Sequence, residues 1–231
     1  FGLLLRLLYE PFGTLAQDWG QIIYAVSALS MIIGSFAALT QNNIKRLLAF
    51  SSIGHVGFAL LALCTGLAIG LSATVAYLVI YMIMTLGVFA VILCLNADGK
   101  MITNIDDMAG LAKTSPVLSY VLAILMFSMA GIPPMAGFFA KLYVFQAAIE
   151  GGAIYLAIIG VLCSVVSAYY YLRIIKVMFF DEGDIKLKQD FGLGRPIVMT
   201  LSSVFVLLYI ISPEFLLTLV RHSIAPLILY G

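Results

Sequence analysis

The chain has 231 residues, of which 63% are hydrophobic and 10% are charged, with 12 Lys and Arg against 11 Asp and Glu. Soluble globular proteins carry about 25% charged residues, so this composition excludes a soluble domain and indicates a membrane protein. A formal net charge of +1 provides no basic surface for nucleic acid, which we exclude as a partner.

The first residues indicate that the chain is part of a longer protein. Phe1 stands where a Met would begin a complete chain, and the run FGLLLRLL is apolar from its start without the features of a signal peptide. We expect residues 1–9 to be the tail of a helix that begins upstream. Residues 1–231 are then a single membrane domain, the C-terminal part of a longer subunit.

Five runs are long and apolar enough to cross a membrane, since about 20 helical residues span the hydrocarbon core. They are residues 20–41, 46–68, 71–95, 153–180 and 197–219. The runs lack the alternation of barrel strands, which favours helices. With residues 116–150 as a further span, the sequence predicts an all-α fold, a polytopic transmembrane helix bundle of about six spans.

The segment 116–150 is predicted to be discontinuous, with a break near residues 131–137. Its centre holds residues that interrupt helices, namely Gly131, Pro133, Pro134 and Gly137. Backbone groups freed at membrane depth are tolerated only where the break is buried in protein or faces a wet cavity. The break therefore marks a candidate ion site.

The segment could cross the membrane once or twice, and the positive-inside rule favours one crossing. One crossing leaves only Arg6 and Arg221 on the non-cytoplasmic side, with the C-terminus. The seven cations on the cytoplasmic side are Lys45, Arg46, Lys100, Lys113, Lys186, Lys188 and Arg195. Two crossings would divide the same cations five against four.

Lys141 follows Gly137 by four residues and is the lysine that we expect deepest in the membrane. A charge at that depth costs about 2.5–3.5 kcal/mol on insertion scales, and burial favours the neutral amine. We interpret Lys141 as a proton carrier. The alternative is a side chain that snorkels from a helix end to the interface.

His55 is the second candidate for proton transfer. It lies about nine residues into its predicted span, one turn after Ser51 and Ser52. An imidazole with an ordinary pKa of about 6.5 suits a relay, although a hydrogen-bonded core histidine is an equally good interpretation. Lys45 lies at the start of the same span, and we interpret it first as an interfacial anchor.

Hydroxyl groups line two further spans. Tyr77, Tyr81 and Thr85 share a face of the span 71–95, and Ser164, Ser167 and Tyr171 repeat the pattern in the span 153–180. Such stripes can hold a water wire or simply join helices by hydrogen bonds. Arg173 lies nearer the cytoplasmic end and could pair with a carboxylate or a lipid headgroup.

Cysteine and the second histidine suggest no metal or redox chemistry. Cys64, Cys94 and Cys163 lie singly in apolar runs, and His222 is far from His55 in sequence. We therefore expect neither a metal nor a bound cofactor in this chain.

Three runs together carry a family resemblance: QNNIKRLLAFSSIGHVGFAL (41–60), AGIPPMAGFFAKLYVF (130–145) and AYYYLRIIKVMFF (168–180). They resemble the antiporter-like membrane subunits of proton-pumping NADH:quinone oxidoreductase, complex I. Because the span 71–95 holds neither Lys nor His, the resemblance favours the subunit N type, whose mitochondrial counterpart is NADH dehydrogenase subunit 2. By that resemblance this is the second half of a 14-helix subunit, and Lys141 is the proton-site lysine of a discontinuous twelfth helix.

The resemblance implies a proton-translocating, non-redox subunit driven by quinone reduction in partner subunits. Lys141 and His55 would transfer protons, with support from Lys45, Ser51, Ser52, Tyr77, Tyr81, Thr85 and Arg173. Tyr77, Tyr81, Thr85 and water would bridge His55 to Lys141.

NADH, FMN, iron–sulfur clusters and quinone would then be bound by partner subunits. The partners would be other membrane subunits of complex I, including neighbouring antiporter-like subunits, together with lipids. The location would be a bacterial inner (plasma) membrane, or else the mitochondrial inner membrane. A subunit of a multisubunit Na⁺/H⁺ antiporter or of a membrane-bound hydrogenase is the alternative function, and a purely structural scaffold is a third.

Overall fold

The computed structural model describes residues 1–97, 100–183, 185, 187, 192 and 194–229. The helices are α1 (Gly2–Tyr9), α2 (Ala16–Leu39), α3 (Ile44–Leu63), α4 (Ala68–Ile92), α5 (Leu111–Thr114), α6 (Pro116–Ala130), α7 (Ala136–Glu150), α8 (Ile154–Phe180), α9 (Gly194–Leu208) and α10 (Pro213–Leu229). Between α4 and α5, the short strands β1 (Asn96–Ala97) and β2 (Lys100–Met101) pair antiparallel.

Five helical segments of the described chain are long and apolar enough to cross a membrane alone: Gly13–Leu39, Ile44–Leu63, Ala68–Ile92, Ile154–Phe180 and Gly194–Ile211. The predicted all-α transmembrane bundle is therefore confirmed. The observed helix boundaries differ from the predicted ones, and local capping is one reason. The side chain of Asn43 accepts hydrogen bonds from the backbone N–H groups of Lys45 and Arg46, at 3.0 and 3.2 Å, which begins α3 at Ile44.

The prediction of one continuous span over residues 197–219 is wrong. The helical segment ends at Ile211, and α10 begins at Pro213. Pro213 disfavours helical geometry in the residue before it, and Ser212 has φ −146° and ψ 68°. The proline that was expected to lie inside a span instead separates two helices.

The bundle has two ends, which we name by residues that lie there. At the Asn42 end, the Arg173 side chain of α8 donates to Asn42 Oδ1 at 2.7 Å, and the backbone N–H of Ile105 donates to Asn42 O at 2.9 Å. At the Thr65 end, Thr65 lines a cavity with Gly20 and Gly151. Helices α3 and α4 each run the length of the bundle between these ends.

The broken segment crosses this bundle once. Near the start of α6, the ring of Tyr120 packs edge-on against Phe179 of α8, 5.3 Å between centroids, at the Asn42 end. Helix α7 finishes beside Gly151 at the Thr65 end. Each helix has 15 residues, or about 22 Å, so both are needed to pass a hydrocarbon core of about 30 Å.

The break itself is shorter than expected, because it covers residues 131–135. Gly131, Pro133 and Pro134 lie in it, whereas Gly137 lies in the first turn of α7. The chain also turns sharply before α6: the segment Asp106–Thr114 meets α6 at 119°.

Three cations that the positive-inside argument assigns to one side of the membrane lie at the same end of the bundle. Lys45 and Arg46 open α3 beside Asn43 at the Asn42 end, and Arg195 Nη1 donates to Leu93 O, after α4, at 3.1 Å. Lys186, Lys188 and the side chain of Lys100 lie outside the described residues. Which end faces the cytoplasm stays a prediction.

Small residues set the distance between α2 and α3. The Ser27 hydroxyl donates to Gly57 O at 2.8 Å. At Gly34, an added Cβ would lie 2.8 Å from Gly54 Cα and 2.9 Å from Phe50 O, both closer than real contacts allow. This close backbone approach holds α3 in position and with it His55.

Replacing Gly34 with Ala should destabilise the protein, because the new methyl group meets α3 backbone that cannot rotate away. Overpacking of this kind costs about 1–3 kcal/mol. The thermal unfolding midpoint of the full-length subunit in detergent measures the effect. Gly2→Ala is the control, since nothing among the residues that the structure describes lies within 4 Å of a Cβ there. Equal midpoints for the two variants would contradict the packing argument.

Candidate functional site

The break between α6 and α7 is closed by local hydrogen bonds. Gly131 has φ +86°, a left-handed conformation that ends α6, and its N–H lies 2.9 Å from Ser128 O. The Ser128 hydroxyl accepts from the backbone N–H of Gly137 at 3.0 Å and so caps the start of α7. Those contacts satisfy backbone groups that a membrane would otherwise leave unpaired.

The Lys141 amine is hydrogen-bonded to the backbone at the break. Its side chain extends back toward the N-terminus of α7, as helical side chains do. Nζ donates to Ala130 O at 2.9 Å and to Ser164 Oγ of α8 at 2.8 Å. We call these three groups the Lys141 site. The residue is 5% exposed, so the interpretation of Lys141 as a snorkelling side chain does not fit.

Gly131 leaves room for this amine. A Cβ on Gly131 would lie 2.9 Å from Cδ and 3.2 Å from Nζ of Lys141. The glycine is thus required twice, once for its positive φ and once for the space that the lysine side chain occupies.

The surroundings of Lys141 are compatible with either protonation state. Within the described part of the chain its amine forms no ion pair. The carbonyl end of α6 carries partial negative charge that favours the ammonium form. The Ser164 hydroxyl can accept from the ammonium or donate to the neutral amine.

A cavity of about 320 Å³ lies against this site, and we call it the break cavity. The break contributes Gly131, Ile132 and Pro133 to its wall, and α8 contributes residues that include Ser164 and Val165. Val165 is 66% exposed, so the cavity reaches the outer face of α8 in this part of the protein.

His55 is the centre of a second buried cluster, which we call the His55 network. Its Nδ1 lies 2.7 Å from the Tyr77 hydroxyl, and its Nε2 lies 3.0 Å from the Tyr171 hydroxyl. The Tyr171 hydroxyl is also hydrogen-bonded to Ser51 Oγ, and the ring of Tyr81 stacks on the imidazole at 4.5 Å between centroids. A neutral imidazole donates through one nitrogen and accepts through the other, so this chain of groups can reverse its direction of hydrogen bonding.

A second cavity, the Thr85 cavity, extends from the His55 network toward the Asn42 end. It has about 110 Å³ and is lined by residues that include Lys45, Ser51, Ser52, Tyr81 and Thr85. Buried Thr85 Oγ1 has no hydrogen-bond partner among the described residues. The lining is mostly apolar, but it includes several hydroxyl groups, and a cavity of this size with such hydrogen-bond partners can hold water.

Phe58 lies beside both the His55 network and the Lys141 site. Its ring centroid lies 6.3 Å from that of His55 and 5.2 Å from Lys141 Nζ. Of the residues predicted to bridge His55 to Lys141, Tyr77 and Tyr81 contact His55, but Thr85 lies on the side of Lys45. Phe58 is an aromatic side chain that lies close to both His55 and Lys141.

Two predicted supporting residues lie away from Lys141. Arg173 is hydrogen-bonded to Asn42 and lies 3.9 Å from Asp106 Oδ1, so it does pair with a carboxylate, but at the Asn42 end. The Lys45 amine lies 2.6 Å from Met101 Sδ and lines the Thr85 cavity.

Three residues of the observed clusters were not among the predicted site residues. Ser164 and Tyr171 belong to a hydroxyl stripe that the sequence displays, but nothing in the stripe says which member meets a partner. Phe58 carries no polar atom and gives no sequence signal of its own.

Known proteins with similar sequences decide the family. The family described as NADH:quinone oxidoreductase/Mrp antiporter, TM, matches residues 1–167. This chain belongs to that family. It is 50% identical over 216 residues to NADH-quinone oxidoreductase subunit N of Paramagnetospirillum magneticum, which covers 94% of this chain and 44% of that protein. The resemblance is confirmed, and the chain spans less than half the length of this curated relative.

Solved structures agree with the fold. A chain of respiratory complex I from Thermus thermophilus, solved with bound aureothin, superposes with a TM-score of 0.75 at 31% identity, covering 86% of this chain and 45% of that one. A chain of the Mrp complex from a Dietzia species gives 0.82 at 24% identity, covering 92% and 48% respectively. The latter likeness concerns the fold alone.

Burial predicts unequal chemical reactivity of the lysines. Lys113 is exposed and Lys141 is buried, so a water-soluble acylating reagent should modify Lys113 in the folded full-length protein and leave Lys141 unmodified. Peptide mass spectrometry measures both, and denaturation in SDS should make them equally reactive. Comparable acylation before denaturation would show that Lys141 reaches solvent.

Proposed function

We propose that this chain is the C-terminal half of a proton-translocating membrane subunit of NADH:quinone oxidoreductase. The supporting observation is the Lys141 amine, buried at a helix break and hydrogen-bonded to a backbone carbonyl and a hydroxyl rather than to a carboxylate. A fixed carboxylate would hold the amine permanently charged, whereas these neutral partners tolerate both states. Family membership supports the same function.

In this proposal, protons move between the Asn42 end and Lys141 through the groups already described. Water in the Thr85 cavity connects the region of Lys45 with Ser51 and Tyr81. Ser51, Tyr171, His55 and Tyr77 then relay a proton by exchanging donor and acceptor roles. Lys141 is the terminal carrier, and the break cavity beside it is the route onward.

The proposal requires an external cause for protonation and release at Lys141. A change of about 1.4 kcal/mol in the interaction free energy of the ammonium alters its proton affinity tenfold. A small displacement of charge or of the carbonyl end of α6 is therefore sufficient. Partner subunits that bind NADH, FMN, iron–sulfur clusters and quinone would supply it, while this chain takes no part in electron transfer.

The setting we propose is a bacterial inner (plasma) membrane, with lipids and other membrane subunits of complex I as neighbours, among them further antiporter-like subunits. The similarity to NADH-quinone oxidoreductase subunit N of the bacterium Paramagnetospirillum magneticum supports this choice. A subunit of a multisubunit Na⁺/H⁺ antiporter remains the second candidate, because the family includes Mrp antiporters. Flavin and iron–sulfur proteins that co-purify with the full-length protein favour the first; partners that are all membrane proteins favour the second.

Replacing Lys141 with Met should abolish or strongly reduce proton pumping in the assembled complex, because Met keeps the side-chain length but cannot carry a proton. Pumping is measured as the NADH-driven pH gradient in reconstituted liposomes, with the amount of assembled complex determined in parallel. Lys113→Met is the matched control and should pump normally.

Full pumping by Lys141→Met would remove the basis of the proposal. That result would favour a structural scaffold, in which an apolar side chain of similar length fills the same space.

Replacing Tyr171 with Phe should slow pumping several-fold, because it removes the hydroxyl that joins His55 to Ser51 and leaves the ring in place. Tyr169→Phe is a close control, since Tyr169 lies on the same helix and is 62% exposed. Pumping rate per assembled complex is the readout. Equal rates for the two variants would exclude Tyr171 from the path.

A further inference from the structure

Two buried hydrogen-bonding clusters lie close to the same aromatic ring. The centroid of the Phe58 ring is 6.3 Å from that of His55 in the His55 network and 5.2 Å from Nζ of Lys141 in the Lys141 site. Phe58 follows His55 by three residues on α3, which places both side chains on one face of that helix. The ring is 2% exposed.

Residues of two other helices pack against this ring. Phe145 of α7 packs edge-on against it, with 6.1 Å between centroids and 89° between planes, and Tyr77 of α4 packs at 6.3 Å. The Lys141 amine lies over its face. An ammonium in this position is attracted to the ring, so the charged form of Lys141 favours the observed position of Phe58.

Each of the two cavities adjoins one of the two clusters. The Thr85 cavity adjoins the His55 network at Ser51 and Tyr81, and the break cavity adjoins Lys141 and Ser164. Phe58 lines neither cavity. Protons pass along hydrogen bonds, and a phenyl ring offers no hydrogen-bond donor and only a weak acceptor face.

We propose that Phe58 is the barrier that keeps the His55 network and the Lys141 site from being connected by water, and that each transfer requires its ring to turn aside. The inference rests on the proposed function and identifies the step at which transfer is controlled. When Lys141 loses its proton, the attraction between ammonium and ring is lost, and the ring is held less firmly.

Removing the ring tests the barrier. Phe58→Ala leaves a space with polar groups on both sides, where water can bind, so proton flux should no longer depend on the driving reaction. Phe58→Leu keeps an apolar side chain in the gap and should retain the barrier. Phe139→Ala is the control for general loss of aromatic packing, because Phe139 contacts Tyr209 at 5.7 Å between centroids.

The assembled complex in liposomes provides the measurement. Passive proton flux is recorded under an imposed pH gradient without NADH, and NADH-driven pumping is recorded separately. We expect Phe58→Ala to raise passive flux about tenfold, which corresponds to a barrier lower by about 1.4 kcal/mol, and to lower pumping per NADH oxidised. Phe58→Leu and Phe139→Ala should behave like the parent.

The double variant Phe58→Ala, Lys141→Met tests the path. If the leak passes through Lys141, the double variant should lose it. Unchanged passive flux in Phe58→Ala, an equal leak in Phe139→Ala, or a leak that persists in the double variant would each overturn the inference. The proposed function fails by a different result, namely full pumping in Lys141→Met alone.

Discussion

A helix that breaks inside a membrane must provide new partners for the backbone groups that it releases, and the arrangement around residues 131–135 follows from that requirement. Gly131 turns its N–H back onto α6, and Ser128 caps the start of α7. The carbonyl of Ala130 is satisfied by the Lys141 amine. The side chain best suited to carry a proton is therefore also part of the helix termination, so its protonation state and the geometry of the break depend on each other.

The polar groups buried near this amine are of a kind that can remain uncharged. Imidazole, phenol and aliphatic hydroxyl groups can stay neutral when buried, whereas an unpaired carboxylate would be expensive. The His55 network consists of such neutral groups, contributed by α3, α4 and α8. Helix α3, which bears His55, is held against α2 through small residues such as Gly34 and Gly57. Packing thus fixes the hydrogen-bond geometry on which the proposed relay depends.

Much of this architecture can be predicted from local sequence. Hydropathy locates the membrane helices, and the Gly and Pro residues locate the break. What the sequence cannot supply is the distance between side chains of different helices. The hydroxyl stripe on α8 does not reveal that Ser164 meets Lys141 while Tyr171 meets His55. Thr85 shares a helix face with Tyr77, yet two turns of helix carry it toward the opposite end from Lys141. Likewise, hydropathy does not show that Pro213 ends a helix inside the run 197–219, because a hydropathy average takes no account of the backbone effect of one residue.

The interruption at Pro213 has a mechanical consequence for the rest of the protein. Tyr143, two residues after Lys141, donates its hydroxyl hydrogen bond to Pro213 O at 3.3 Å, and Tyr209 donates to the same oxygen at 3.2 Å. The two discontinuities of the chain are thereby tethered to each other by a shared acceptor. A sliding or tilting of α7 would break the hydrogen bond from Tyr143 or move the junction of α9 and α10 with it, so the position of the helix that bears the lysine is coupled to that junction.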